Sequence, residues 1–177
     1  PAPGQRVVQG TIEVWDVASA RCEATLRENG VYVEALAVLE AGRRLASGLR
    51  DGWIELWDLA SMRREAALRG PNGAVEALAA LEAGRLASGS EDGTIKIWGL
   101  ASMRCEATLQ GNGDPVQALA ALGAGRLAED GTIKIWGLAS MRCEATLQGH
   151  DDCVFALAAL EAGRLASGSD DCTVKIW

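Results

Sequence analysis

The sequence holds one histidine, one tyrosine and one phenylalanine in 177 residues. A catalytic constellation of nucleophile, base and orienting group has little to be built from when there is a single imidazole. Five cysteines occur without a Cys-x-x-Cys pair, so none of the common zinc or dithiol patterns is present. A Gly-x-Gly-x-x-Gly or Walker-type phosphate loop is also missing. No apolar run approaches the ~18 residues of a membrane span, and no secretory leader is visible. Basic residues are outnumbered 17 to 24, giving a net charge of −7 and a pI of about 4.8. A surface of that sign repels nucleic-acid phosphates and anionic lipid, so neither is an expected partner.

Tryptophan is the aromatic residue that is present, six times, and five of the six recur in one phrase. Gly-Thr-Ile-Lys-Ile-Trp stands at 93–98 and again at 131–136, with looser copies at 10–15, 52–57 and 172–177. The closing residues Trp15, Trp57, Trp98, Trp136 and Trp177 are 42, 41, 38 and 41 residues apart, a period typical of repeat architectures. Within each phrase β-branched and polar residues alternate, which places Ile95 and Ile97 on one face of a strand and Lys96 and Trp98 on the other. Cys22, Cys105 and Cys143 share one slot in the phrase Arg-Cys-Glu-Ala-Thr-Leu, where the second repeat has Arg64. That variation marks a tolerant, partly exposed strand position with reduced thiols, and an intracellular, cytoplasmic setting, with a nuclear one left open.

The Ala- and Leu-rich stretches 33–39, 75–81, 116–122 and 154–160 are the ambiguous part. By propensity alone they are helical, and a strand–helix solenoid such as a leucine-rich array is the rival fold. Their apolar run is only about eight residues long before an Ala-Gly turn, short for an independent helix. The next phrase, Leu-Ala-Ser-Gly, is a short strand closed by a tight turn, so strand is the preferred reading for both. Each period then holds four strands.

Four-strand periods with Trp15-Asp16 and Trp57-Asp58, Asp-Gly turns at Asp51, Asp92 and Asp130, Leu-Ala-Ser-Gly phrases, and Gly149-His150 ahead of Trp177 resemble the WD-repeat family. The resemblance implies an all-β, β-propeller-type array of four-stranded antiparallel blades, running as a single domain over 1–177. Blades are expected at 31–69, 74–110 and 115–148, with partial blades at 6–26 and 153–177. It also implies that His150, Ser167, Asp171 and Trp177 form a blade-locking hydrogen-bond network. His150 is read as part of this network rather than as a general base or a metal ligand with Asp151, Asp171, Cys153 and Cys172. Where the other repeats would need that histidine they have Asn29, Pro71 and Asn112. Trp98 and Trp136 are followed by Gly99 and Gly137, so the Trp-Asp dipeptide is absent there. Three residues are missing after Ala128, a deletion that should cut its strand short rather than shift it.

Differences among the copies gather at Tyr32, Glu34, Glu76, Gln117 and Phe155, and just before the turn at Arg50, Glu91, Glu129 and Asp170. In the family such places lie at the rim of one propeller face, where partners dock. Trp53, replacing a threonine, is a further candidate anchor. The expected function is a non-enzymatic interaction scaffold for a protein or peptide. The alternative is a small-ligand or enzymatic propeller using its central channel. No metal and no cofactor are expected. Blades turning the chain by roughly 45–51° each would leave four and a quarter repeats as an open arc. A homodimer completing an eight-bladed ring is one solution, while a five-bladed monomer or a fragment of a longer propeller are the others. Chain ends at Pro1 and inside a repeat at Trp177 suit a processed or partial piece.

Overall fold

A computed structural model describes residues 10–27, 30–70, 72–111, 113–129 and 132–177. The first sheet pairs β1 (Thr11–Asp16) with β2 (Arg21–Arg27). The second is a four-stranded meander of β3 (Val33–Leu39), β4 (Arg44–Leu49), β5 (Trp53–Asp58) and β6 (Arg63–Arg69). The third repeats it with β7 (Val75–Leu81), β8 (Arg85–Ser90), β9 (Thr94–Gly99) and β10 (Arg104–Gln110). The fourth holds β11 (Leu119–Gly123), β12 (Arg126–Glu129), β13 (Lys134–Gly137) and β14 (Arg142–Thr146). The fifth has three strands, β15 (Val154–Ala159), β16 (Leu165–Ser169) and β17 (Val174–Ile176). All pairings are antiparallel between consecutive strands.

The Ala-rich stretches are therefore strands, and the solenoid reading falls. Helix propensity loses because both faces of an inner strand such as β7 are covered: Ala77 and Ala79 are buried on one side, while Val75, across a bulge, and Leu78 pack on the other. Small alanines let neighbouring sheets approach where the inner strands crowd together.

Each sheet has a leading face, toward the sheet that follows, and a trailing face. Leu39, Ile54 and Leu56 on the leading face of the second sheet meet Val75, Leu86 and Trp98 on the trailing face of the third. Ile95, Ile97 and Leu109 meet Val116, Leu127 and Trp136 in the same way one sheet on. Complete burial of Ile95 and Ile97 contributes about 1.5–3 kcal/mol each. The glycine of Leu-Ala-Ser-Gly belongs to this packing. A Cβ at Gly89 would lie 2.8 Å from the Val116 carbonyl oxygen, and one at Gly48 would lie 3.0 Å from that of Val75. Only a missing side chain allows the next inner strand so close.

The deletion in the fourth repeat does shorten its strand. β12 has four residues where β4 and β8 have six, and Glu129 pairs with Lys134 at the rung where Ser88 pairs with Lys96. The five sheets follow one another as an arc and do not close into a ring.

Candidate functional site

Register brings most of the variable positions to one rim, at the starts of the inner strands. Tyr32 precedes β3, and its carbonyl accepts the backbone N–H of Arg50 at 3.0 Å, so the ends of β3 and β4 are fastened together. The Arg50 guanidinium lies 5.3 Å from the Tyr32 ring centroid and 3.5 Å from the Glu34 carboxylate. Glu91 repeats the fastening, its N–H donating to the Ala74 carbonyl at 3.0 Å, and Glu91 Oε2 accepts the Ala74 N–H at 3.4 Å. Glu76 stands between these groups and shares a hydrogen bond with the Gln117 side chain. Partial burial, followed by the like charges of Glu91 and Glu34, pushes the Glu76 carboxyl above its usual range, and Arg50 offsets this only in part. Among the described residues the rim thus has three carboxylates, two on strands and one in the turn after β8, and one guanidinium.

Other candidates fall elsewhere. Phe155 and Asp170 sit on the fifth sheet, in a cleft of about 290 Å³ with Cys172 and Val174. Trp53 is half-buried rather than an open indole, with the Arg69 guanidinium 5.4 Å from its ring centroid. Glu129 ends β12, and its side chain lies outside the described residues, as do Asn29, Pro71, Asn112 and Asp130.

In the fifth sheet His150 is held at both ring nitrogens. Nδ1 lies 2.7 Å from Asp171 Oδ2 and Nε2 lies 2.7 Å from Ser167 Oγ. Trp177 Nε1 donates to the same Ser167 oxygen at 2.8 Å. A neutral imidazole satisfies every member: Nδ1–H donates to the carboxylate while the serine hydroxyl donates to Nε2. Hydrogen bonds from Thr173, His150 and the Asp151 and Thr173 amides, opposed by desolvation, hold the Asp171 carboxyl well below the usual carboxylate range. With its side chain only 4% exposed, His150 has neither a free nitrogen nor access for general-base work. A cleft of about 510 Å³ runs beside this network, lined by Asp114, Leu147, Asp152 and Cys153. Among the described residues no cluster of three or more His, Cys, Asp or Glu side chains could hold a metal ion. All five cysteines are exposed and unpaired.

The second and third sheets keep the shorter form of the lock, with Trp57 Nε1 donating to Ser47 at 3.0 Å and Trp98 Nε1 to Ser88 at 2.9 Å. In the fourth sheet the deleted residues include that serine, and the buried Trp136 Nε1 has no partner.

Sequence reading missed two couplings. Arg64 was expected to mark a tolerant slot, but it forms an ion pair with Glu55 across the β5–β6 ladder. Glu55 stands where the third, fourth and fifth sheets have Lys96, Lys134 and Lys175, while the first sheet has Glu13 there together with Cys22. The pair leaves Glu55 Oε2 buried and unpartnered. The signal was present in the one copy that combines a glutamate in the Trp strand with an arginine in the next. Gly99 and Gly137 have a reason as well. A Cβ at either would meet the carboxylate of Glu106 or Glu144, whereas Asp58 in the second sheet turns instead to Ser61, whose hydroxyl it accepts at 2.6 Å.

A protein-family model described as "WD domain, G-beta repeat" matches residues 20–58, 63–99 and 141–177. No curated protein matches the chain. Among solved structures it is similar to a chain in the crystal structure of the mitotic checkpoint complex, at 25% identity and a TM-score of 0.86 over 94% of this chain and 54% of that one. It is also similar to U3-55K and to the RRP9 WD40 repeats, each at 28% identity and a TM-score of 0.81 over 86% of this chain. Those matches cover 50% and 49% of the other chains, so this chain spans about half the length of the solved chains it matches.

Proposed function

Because this chain belongs to the WD40 repeat family, we propose that it is a non-enzymatic scaffold whose inner-strand rim holds a lysine- or arginine-rich segment of a protein or peptide. Proteins of this fold are typically interaction scaffolds. The observation that carries the finer reading is the unbalanced carboxylate group at the rim, where Glu76 is half-buried beside Glu34 and Glu91, and the Gln117 hydrogen bond and the Arg50 charge offset this only in part. A cationic side chain placed there relieves the repulsion, and its charge-assisted hydrogen bonds contribute about 1.5–3 kcal/mol each. Tyr32 and Gln117 supply a flat apolar ring and an amide to the same rim. Phe155 and Asp170 would extend it to the fifth sheet, with Trp53 and Glu129 at its margin.

The net charge of −7 supports the same sign of partner and disfavours nucleic acid and anionic membrane. Among the described residues no helix is long and apolar enough to cross a membrane. Five exposed unpaired thiols suit a reducing, cytoplasmic setting. Commitment of both His150 nitrogens to its neighbours favours the scaffold over a channel enzyme.

The test is titration calorimetry with a lysine-rich peptide and a glutamate-rich peptide of equal length. The chain should bind the first and ignore the second, and the double substitution Glu76→Gln, Glu91→Gln should weaken binding at least tenfold. Equal binding of the two peptides, or no loss in the double variant, overturns the proposal.

A further inference from the structure

The sequence contains three asparagines, Asn29, Asn72 and Asn112, and a glycine follows each of them. Asn72 is the one among the described residues, in the connection from β6 to β7. It is exposed and lies with Gly73 in a bend outside the strands. Its backbone N–H donates to Asp92 Oδ2 at 3.2 Å, but neither its side-chain amide nor the Gly73 N–H has a partner among the described residues. Those are the two groups that react when asparagine precedes glycine. The side-chain carbonyl carbon is open to the next backbone nitrogen, and glycine has no Cβ to obstruct the approach.

The chain around this pair is held at both ends. Asn72 is tied to Asp92, and Ala74 exchanges two bonds with Glu91: its carbonyl accepts the Glu91 N–H at 3.0 Å, and its N–H donates to Glu91 Oε2 at 3.4 Å. Gly73 is pressed against the same turn, since a Cβ there would lie 3.1 Å from Glu91 Cβ. The segment 72–74 therefore has no slack. In the fifth sheet Asp151 and Asp152 stand in place of Asn72 and Gly73, and the Asp151 N–H donates to Asp171 Oδ2 at the same 3.2 Å. His150 adds a second contact to that oxygen at 2.7 Å. The third sheet has Pro71 in place of the histidine, so the amide of Asn72 alone ties Asp92 Oδ2 to the connection.

We propose that Asn72–Gly73 is a self-acting modification site at which the folded chain converts asparagine to isoaspartate. The Gly73 nitrogen, having lost its proton to solvent base, attacks Asn72 Cγ. A succinimide ring forms, the Cγ–Nδ2 bond breaks, and ammonia leaves with a proton from water. Water then adds to one of the two ring carbonyls and opens the ring, with no change of oxidation state. Opening at Cγ restores the ordinary main chain with aspartate, the residue that the fifth sheet carries there. Opening at the α-carbonyl routes the main chain through Cβ and Cγ, one carbon longer, and leaves the α-carboxylate as a side group. The longer chain cannot keep both anchors, and its new charge lies beside Asp92 and Glu91. Release of Ala74 from Glu91 unfastens the start of β7 from the end of β8.

The test holds a folded and a urea-unfolded sample in mildly alkaline buffer and follows the tryptic peptide 70–85 by mass spectrometry. In both, residue 72 should become heavier by about 1 Da, at rates within about tenfold of each other. Electron-transfer fragmentation should identify isoaspartate as the larger product. Asn29 and Asn112 fall in other tryptic peptides, so their chemistry is read separately. Asn72→Gln should remove the change, because the larger ring it needs forms far more slowly. In the converted chain the Ala74 and Glu91 amides should exchange with solvent hydrogen about tenfold faster or more. The equivalent Asp170 amide, bonded to the Cys153 carbonyl at 3.0 Å, should stay as it was. Freshly prepared Asn72→Asp, with the ordinary main chain, should keep the slow exchange. A folded chain converting at under about a tenth of the unfolded rate, aspartate as the larger product, or unchanged Glu91 exchange after conversion each overturns the proposal.

Discussion

The missing serine of the fourth sheet sets up a comparison inside a single molecule. Trp98 and Trp136 close identical phrases and are buried to nearly the same degree, 4% and 7% exposed. Trp98 donates to Ser88, while Trp136 Nε1 is buried without a partner. Tryptophan-to-phenylalanine substitution removes the N–H from each and leaves a similar void, so the apolar losses nearly cancel in the difference between the two variants. What remains is polar. Trp98→Phe orphans the fully buried Ser88 hydroxyl, costing about 1–3 kcal/mol, while Trp136→Phe relieves an unsatisfied donor worth about the same. Trp98→Phe should therefore be the more destabilising by about 2–6 kcal/mol. Urea unfolding followed by far-ultraviolet circular dichroism at one fixed protein concentration measures it, because a shared m-value turns the midpoint difference into free energy. Equal destabilisation, within about 0.5 kcal/mol, would refute the argument that the serine is the indole's partner.

Three further outcomes follow from the site geometry. His150→Ala should cost about 1–3 kcal/mol by stripping the buried Ser167 hydroxyl of its acceptor, and a midpoint unchanged in urea would contradict the network. Because the Asp171 carboxyl lies below its ordinary value of 3.8 in the folded chain, its contribution is present above that pH and is lost as the pH falls below it. Asp171→Asn should accordingly flatten the acid limb of a stability–pH profile and leave a smaller, pH-independent loss near neutrality. Arg64→Cys, which leaves the buried Glu55 without its half-exposed partner, should destabilise by about 1–3 kcal/mol. Adding Glu55→Lys to restore the pair of residues found in the third sheet should recover most of that loss, and a double variant as unstable as the single one would show that the two positions are not coupled.

The parts of the fold legible in the sequence are those written in local pattern. Alternation in Gly-Thr-Ile-Lys-Ile-Trp is a property of six consecutive residues, and it gave β9 its faces before any neighbour was known. The Ala-rich strands were harder because their composition favours helix, and only the short run and the following turn argued otherwise. His150 was legible through its resemblance to a known lock. The Glu55–Arg64 pair and the room that Gly99 leaves for Glu106 were not, since both are cross-strand contacts between residues seven to nine positions apart. At the rim, variation between copies picked out Glu34, Glu76 and Glu91, which the structure brings together. The same signal also picked out Phe155 and Trp53, which lie apart from them, because variability reports a lack of constraint as readily as a shared surface.

The unpaired indole of Trp136 bears on how the molecule comes apart. Packing in this arc runs between consecutive sheets, from β3 to β7, β7 to β11 and β11 to β15. In such a one-dimensional chain of couplings, local opening begins at the unit with the poorest internal support and divides what lies on either side. Among the sheets with a neighbour on both sides, the fourth, with its four-residue β12 and β13 and its unsatisfied donor, is that unit. Its amides should exchange with solvent hydrogen ahead of those of β8 and β9, and a protease acting on the native protein should find its first cut between residues 119 and 146. The three residues lost after Ala128 thus give a nearly uniform array a defined fault line.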